Sequence, residues 1–113
     1  MHELSVASRL VQQVEQIVES EQAKKVVRIR LSLGALSGVE RDPLEFSFTL
    51  VAKGTVVENA KLEIEEVPAD LRCNDCKNVS PFKWAMFNCE LCGSQNTTIE
   101  GGRELLLKSV EVI

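Results

Sequence analysis

Residues 73–92 read CNDCKNVSPFKWAMFNCELC, two Cys-x2-Cys pairs with twelve residues between them. Two residues between cysteines let both thiolates of a pair turn onto one ion, and two such pairs close a tetrahedron around it. Cys73, Cys76, Cys89 and Cys92 are therefore expected to hold zinc. Four sulfurs leave no position for water or substrate, so the expected role is structural. Iron held by four thiolates uses the same ligands. A thioredoxin-like dithiol would need a strand-to-helix junction in a βαβ setting, which neither pair has around it. The sizeable apolar residues of this stretch are Val79, Phe82, Trp84, Met86, Phe87 and Leu91. Such a segment is too small to fold without a staple, and the metal supplies one. Phe82, Trp84 and Phe87 are expected to pack around the cysteine knuckles, since the basic surroundings of a nucleic-acid stacking platform are missing.

Working outward, Pro68 precedes this stretch and Gly101-Gly102 follows it, residues that favour turns at a boundary. On the near side, KLEIEEV alternates Leu62 and Ile64 with glutamates; on the far side, RELLLKSVEVI is a β-prone run. The cysteine segment, residues 71–98, thus reads as an insertion between two strands. Upstream, VVRIRLSL places Val27, Ile29, Leu31 and Leu33 on one face and Arg28, Arg30 and Ser32 on the other, a half-buried strand. From Leu4 to about Gln22, Ala7, Leu10, Val11, Val14, Ile17 and Val18 fall along one face of an amphipathic helix. A second helix is expected from DPLEFSFTLVAKG, with Asp42 as N-cap, Pro43 first in the helix, Glu45 at the third position and Gly54 as the stop, burying some of Leu44, Phe46, Phe48, Leu50 and Val51. The expected fold is α+β: two helices against a three-stranded, antiparallel-type sheet built from residues 1–70 and 99–113, with a zinc ribbon over 71–98.

The chain has 113 residues, 44% of them hydrophobic and 27% charged, which places it among ordinary globular proteins of one small domain. Thirteen basic against seventeen acidic residues give a net charge of -4, and a nucleic-acid partner is not expected without a basic patch. No apolar run is long enough to span a bilayer, and no cationic start leads into an apolar signal segment. A cytoplasmic location is expected, and in that reducing compartment cysteines bind metal more readily than they form structural disulfides. No nucleophile, acid-base pair or phosphate-binding glycine loop can be assembled, so the protein is not expected to be an enzyme.

The sequence starts MHE, and His2 is its one histidine. A bulky second residue protects the initiator methionine, leaving three nitrogen donors in a row: the Met1 amine, the His2 amide once deprotonated, and the His2 imidazole. Such a set suits square-planar Ni(II) or Cu(II) over Zn(II). Copper outranks nickel for these donors, and the partial positive charge of a helix N-terminus disfavours any cation, so the site is expected to be labile. Glu3 or a donor from another protein would complete it.

The start MHELSVASRLV, the segment VRIRLSLGALSGVE and the pairs CNDC and CELC together resemble the hydrogenase maturation proteins of the HypA/HybF family, over essentially the whole chain. The resemblance implies a nickel metallochaperone that helps insert nickel into the large subunit of [NiFe]-hydrogenase with the GTPase HypB; some relatives also serve urease. It carries the family's nickel site onto Met1, His2 and Glu3, with Glu40 in GVE at a position where relatives place an acidic residue, and the structural zinc site onto Cys73, Cys76, Cys89 and Cys92. Histidines that some relatives have beside the knuckles are missing here. The reading from another class is a zinc-ribbon interaction module in which MHE is incidental.

Overall fold

The computed structural model describes residues 2–83 and 86–113. Helix α1, Glu3–Glu21, buries Ala7, Leu10, Val11, Val14 and Val18, the face its 3.6-residue period sets. It ends where Gln22 turns left-handed, at φ 54°, and the amides of Gln22 and Ala23 donate to the carbonyls of Glu19 and Val18.

Strand β1, Val26–Gly34, is the centre of a three-stranded sheet, with Ile29, Leu31 and Leu33 buried. Helix α2, Arg41–Ala52, follows it, then β2, Lys61–Val67, and, at the far end of the chain, β6, Leu105–Val112, in the spatial order β2-β1-β6. The α+β class and the three strands are as the sequence implies; the antiparallel character holds for only one ladder. β6 runs antiparallel to β1, whereas β2 runs parallel to it, from Arg28 opposite Lys61 to Gly34 opposite Val67. The reason is connectivity: α2 is the crossover between β1 and β2 and carries the chain back to the end of the sheet at which β1 began.

The α2 boundary also differs from the expected one. Glu40, not Asp42, stands at the N-cap, and the Leu44 amide donates to the Glu40 carbonyl at 3.1 Å. Pro43 then lies third in the helix, still among the amides without an intrahelical acceptor, so its missing N–H costs nothing. The Glu45 carboxylate does not reach back to a cap; the Arg41 guanidinium takes it at 3.1 Å. Leu44, Phe48 and Ala52 are buried against α1, while Phe46 and Leu50 face solvent.

The sheet face away from the helices carries ion pairs: Arg28 bonds Glu63 of β2 at 3.0 Å and Glu111 of β6 at 3.3 Å. A second antiparallel sheet, in the order β4-β3-β5, is made from β3, Asp70–Cys73, β4, Val79–Pro81, and β5, Thr97–Glu100. The two sheets meet where backbones press together. The amides of Gly34 and Leu36 donate to the carbonyls of Glu104 and Gly102 at 2.6 and 2.5 Å. A Cβ on Gly34 would overlap the Gly102 carbonyl, and one on Gly102, whose φ is +80°, would lie 2.6 Å from the Cβ of Ala69. Glycine is required at both positions.

Candidate metal centre

β3 delivers Cys73 at its end, and the chain then makes two turns of matching design. In the first, the Cys73 amide donates to the Asn78 carbonyl and the Lys77 amide to the Cys73 carbonyl, with Lys77 at φ 65°. In the second, the Cys89 amide donates to Ser94 and the Gly93 amide to Cys89, with Gly93 at φ 75°. Each turn aims amides at its leading sulfur. Cys76 N–H donates to Cys73 Sγ at 3.4 Å, and Leu91 and Cys92 N–H donate to Cys89 Sγ at 3.4 and 3.5 Å.

Such bonds stabilise thiolate. The amides of Cys92 and Leu91 bring the Cys89 thiol down to about 6, low enough to ionise at neutral pH. The Cys76 amide lowers Cys73 as well. At Cys92 the Ser94 amide favours ionisation, but the neighbouring sulfurs of Cys73 and Cys76 outweigh it and push the thiol up to about 12. Four sulfurs so close cannot all ionise unless a cation balances them.

Sulfurs meet across the two turns, Cys73 with Cys92 and Cys76 with Cys89, each at 3.6 Å, and all four lie inside 4.8 Å of one another. A tetrahedron with zinc–sulfur bonds of about 2.3 Å requires sulfurs about 3.8 Å apart. The separations fit zinc, and 3.6 Å is far beyond the roughly 2.05 Å of a disulfide. Cys73 and Cys89 are buried, Cys76 and Cys92 exposed.

Around the knuckles the aromatic expectation holds in part. Phe82 and Phe87 meet edge to face at 5.6 Å, while Val79, Met86, Phe87 and Leu91 are largely exposed; Trp84 lies outside the described residues. The sequence reading missed a set of polar side chains tying the two turns together. Ser94 donates its hydroxyl to Asp75, Asn96 donates to Asp75 at 3.3 Å, and Asn74 donates to Asn96 and Thr98 at 3.1 and 3.0 Å. In a sequence, such residues beside a metal knuckle look like ordinary turn formers.

The N-terminal residues lie at the other candidate centre. His2 is exposed at the N-cap of α1, with its carbonyl accepting from Val6 and its imidazole capping nothing. The Glu3 carboxylate accepts the backbone N–H of Glu40 at 3.2 Å, which pins the start of α1 to the start of α2 and pulls the Glu3 carboxyl below its ordinary range. Glu3 and Glu40 are thus brought together, but through the Glu40 main chain. Among the described residues, the one group of three or more metal-ligating side chains is the cysteine set; Met1 lies outside them.

A family model described as hydrogenase/urease nickel incorporation, metallochaperone, hypA matches residues 1–112. The chain belongs to the HypA family. It is 42% identical over 113 residues to the hydrogenase maturation factor HypA of Nitrosospira multiformis, covering 100% of this chain and 98% of that one. It is 37% identical to the HypA of Legionella pneumophila strain Lens, over 99% of both chains. The solution structure of the Ni metallochaperone HypA from Helicobacter pylori superposes with a TM-score of 0.68 at 31% identity, covering 100% of this chain and 98% of that one. A second solution structure of a HypA protein gives a TM-score of 0.71 at 31% identity. Among the described residues no helix is long and apolar enough to cross a membrane.

Proposed function

We propose that this HypA-family chain carries Ni(II) at its N-terminus and holds zinc at Cys73, Cys76, Cys89 and Cys92 as a structural ion. Nickel is the cargo. The Met1 amine and the His2 amide and imidazole supply a planar nitrogen set, and Glu3 and Glu40 stand beside it as carboxylates that offset the positive end of α1. Residues 1–70 with 99–113 form the nickel-handling unit and 71–98 the zinc-holding one. The recipient is the large subunit of a [NiFe]-hydrogenase, urease being the second candidate, and delivery takes place in the cytoplasm with the GTPase HypB supplying the energy of nucleotide hydrolysis.

The observation that supports this reading best is the Glu3 to Glu40 bond: it holds two acidic residues, distant in sequence, beside an exposed histidine whose ring has no capping duty. Calorimetric titration of Ni(II) into zinc-loaded, untagged protein tests it. One equivalent beyond zinc is expected for the natural sequence and none for His2→Ala, with zinc content and helicity equal in both. Equal nickel binding by the two proteins would refute the N-terminal site.

A further inference from the structure

From the side chains that bridge the two cysteine turns we infer that Asp75, with Ser94 and Asn96, is a selectivity clasp that keeps nickel out of the zinc site. The inference rests on the four cysteines holding zinc.

A nickel chaperone with a four-thiolate site has a sorting problem, because thiolates bind both metals and donor type alone does not separate them. Geometry can. Zinc takes sulfurs tetrahedrally, while Ni(II) gains most from a planar set. Each turn of this site fixes one pair of sulfurs, Cys73 with Cys76 and Cys89 with Cys92. Passing from tetrahedral to planar therefore means rotating one turn against the other by roughly a quarter turn.

The bridge opposes that rotation. Asp75 sits inside the first turn, between its two cysteines, and accepts from Ser94 and Asn96 just beyond the second. Ser94 Oγ also accepts the Asn96 amide at 3.0 Å, so the accepting and donating groups are themselves fixed. Asn74 reaches Asn96 and Thr98, and the Asn74 amide donates to the Asn96 carbonyl at 2.9 Å. Apart from the bond between Ser94 and Asn96, each of these joins a residue of the first turn to one beyond the second. Rotation to a planar arrangement would break several together, whereas zinc leaves them intact. None of the side chains is a metal ligand; they are positioning residues acting through the angle between the turns.

The exchange at issue moves no electrons: Zn(II) leaves the four thiolates and Ni(II) takes its place. Zinc-loaded, full-length protein is incubated with excess nickel chloride, and the thiolate-to-nickel charge-transfer absorption is followed, with metal content measured after desalting. That absorption reports sulfur-bound nickel and is blind to nickel on nitrogen donors. Natural protein should keep its zinc. Asp75→Ala should exchange roughly tenfold to a hundredfold faster, the range expected for losing a charge-assisted hydrogen bond. Ser94→Ala should show a smaller effect in the same direction, and Ser94→Thr, which keeps the hydroxyl, should behave as natural protein. Before nickel is added, each variant should hold one equivalent of zinc with unchanged far-UV circular dichroism. Asp75→Ala exchanging at the natural rate would overturn the clasp. So would loss of zinc from the variant without nickel taking its place, since that is plain destabilisation. Natural protein that holds no zinc at all would overturn the zinc assignment and the clasp with it.

Discussion

The carboxylate of Glu3 accepts the backbone amide of Glu40 at 3.2 Å, joining the first turn of one helix to the N-cap of the other across 37 residues of chain. That bond depends on ionisation. The Glu40 amide favours the charged carboxylate and holds its pKa below the ordinary value of 4.5. A lowered folded-state pKa makes a contribution fully present above the ordinary value and lost as pH falls through the depressed one. The Glu40 amide proton, followed by NMR, should therefore titrate below pH 4.5 and lose that titration in Glu3→Gln. A Glu40 amide indifferent to the change would show that the two helix starts are not joined this way.

Adding a single residue before Met1 converts its amine into an amide without touching any described side chain. Nickel binding in the zinc-loaded protein should fall at least as far as in His2→Ala, while the melting temperature stays the same. An extended protein that still takes up one equivalent of nickel would place the site elsewhere.

Gly102→Ala should destabilise the protein by about 2–4 kcal/mol, because it combines a positive φ with overlap onto Ala69. Gly54→Ala shares the positive φ, at +76°, but meets nothing within 4 Å. Urea denaturation of both should rank Gly102→Ala as clearly the worse; equal losses would mean that the close approach of the sheets carries no energy.

On α2, Leu44 is fully buried and Leu50 is 48% exposed. Leu44→Ala should cost about 2–5 kcal/mol and Leu50→Ala less than about 0.5 kcal/mol. A large loss at Leu50 in the isolated protein would contradict the orientation of the helix.

Cys73→Ser removes a buried sulfur at the end of β3. Zinc content should drop, and the second sheet should lose amide protection, since folding of a small metal-stapled segment is coupled to its ion. Protection in β1 and in the buried face of α1 should survive. Global loss of protection would show that residues 71–98 are not a separate unit.

What the sequence made legible was local periodicity and cysteine spacing. Every residue buried on α1 lies on the face that its 3.6-residue period marks, and only Ile17 of the expected set is half-buried. Alternation identified β1 but carries no direction: KLEIEEV alternates in the same way whether β2 runs with its neighbour or against it. The start of α2 was missed because Arg41 takes the Glu45 side chain that a capping box would have used. Phe87 is expected to pack around the knuckles, yet the turns hold themselves with amide-to-sulfur and side-chain bonds and leave it half exposed. The pairing of Glu3 with Glu40 had no local signature, because it needs two helix starts that only tertiary packing brings together.

The ladder of β3 and β5 sets Asp70 beside Glu100, so the intervening chain, once folded, begins and ends at nearly the same point. This bears on the speed of folding. β1 must find β6 across most of the sequence, from Leu33 opposite Leu105 to Val26 opposite Val112, and closing so long a loop is slow because of the entropy it removes. A ribbon already closed on an ion takes the residues between Asp70 and Glu100 out of that loop and shortens it by about two fifths, a gain of about 0.5 kcal/mol, or about twofold in closing rate. Zinc bound at the four cysteines would thus be a kinetic helper for a sheet away from it: refolding started with the metal present should outpace refolding with the metal added late.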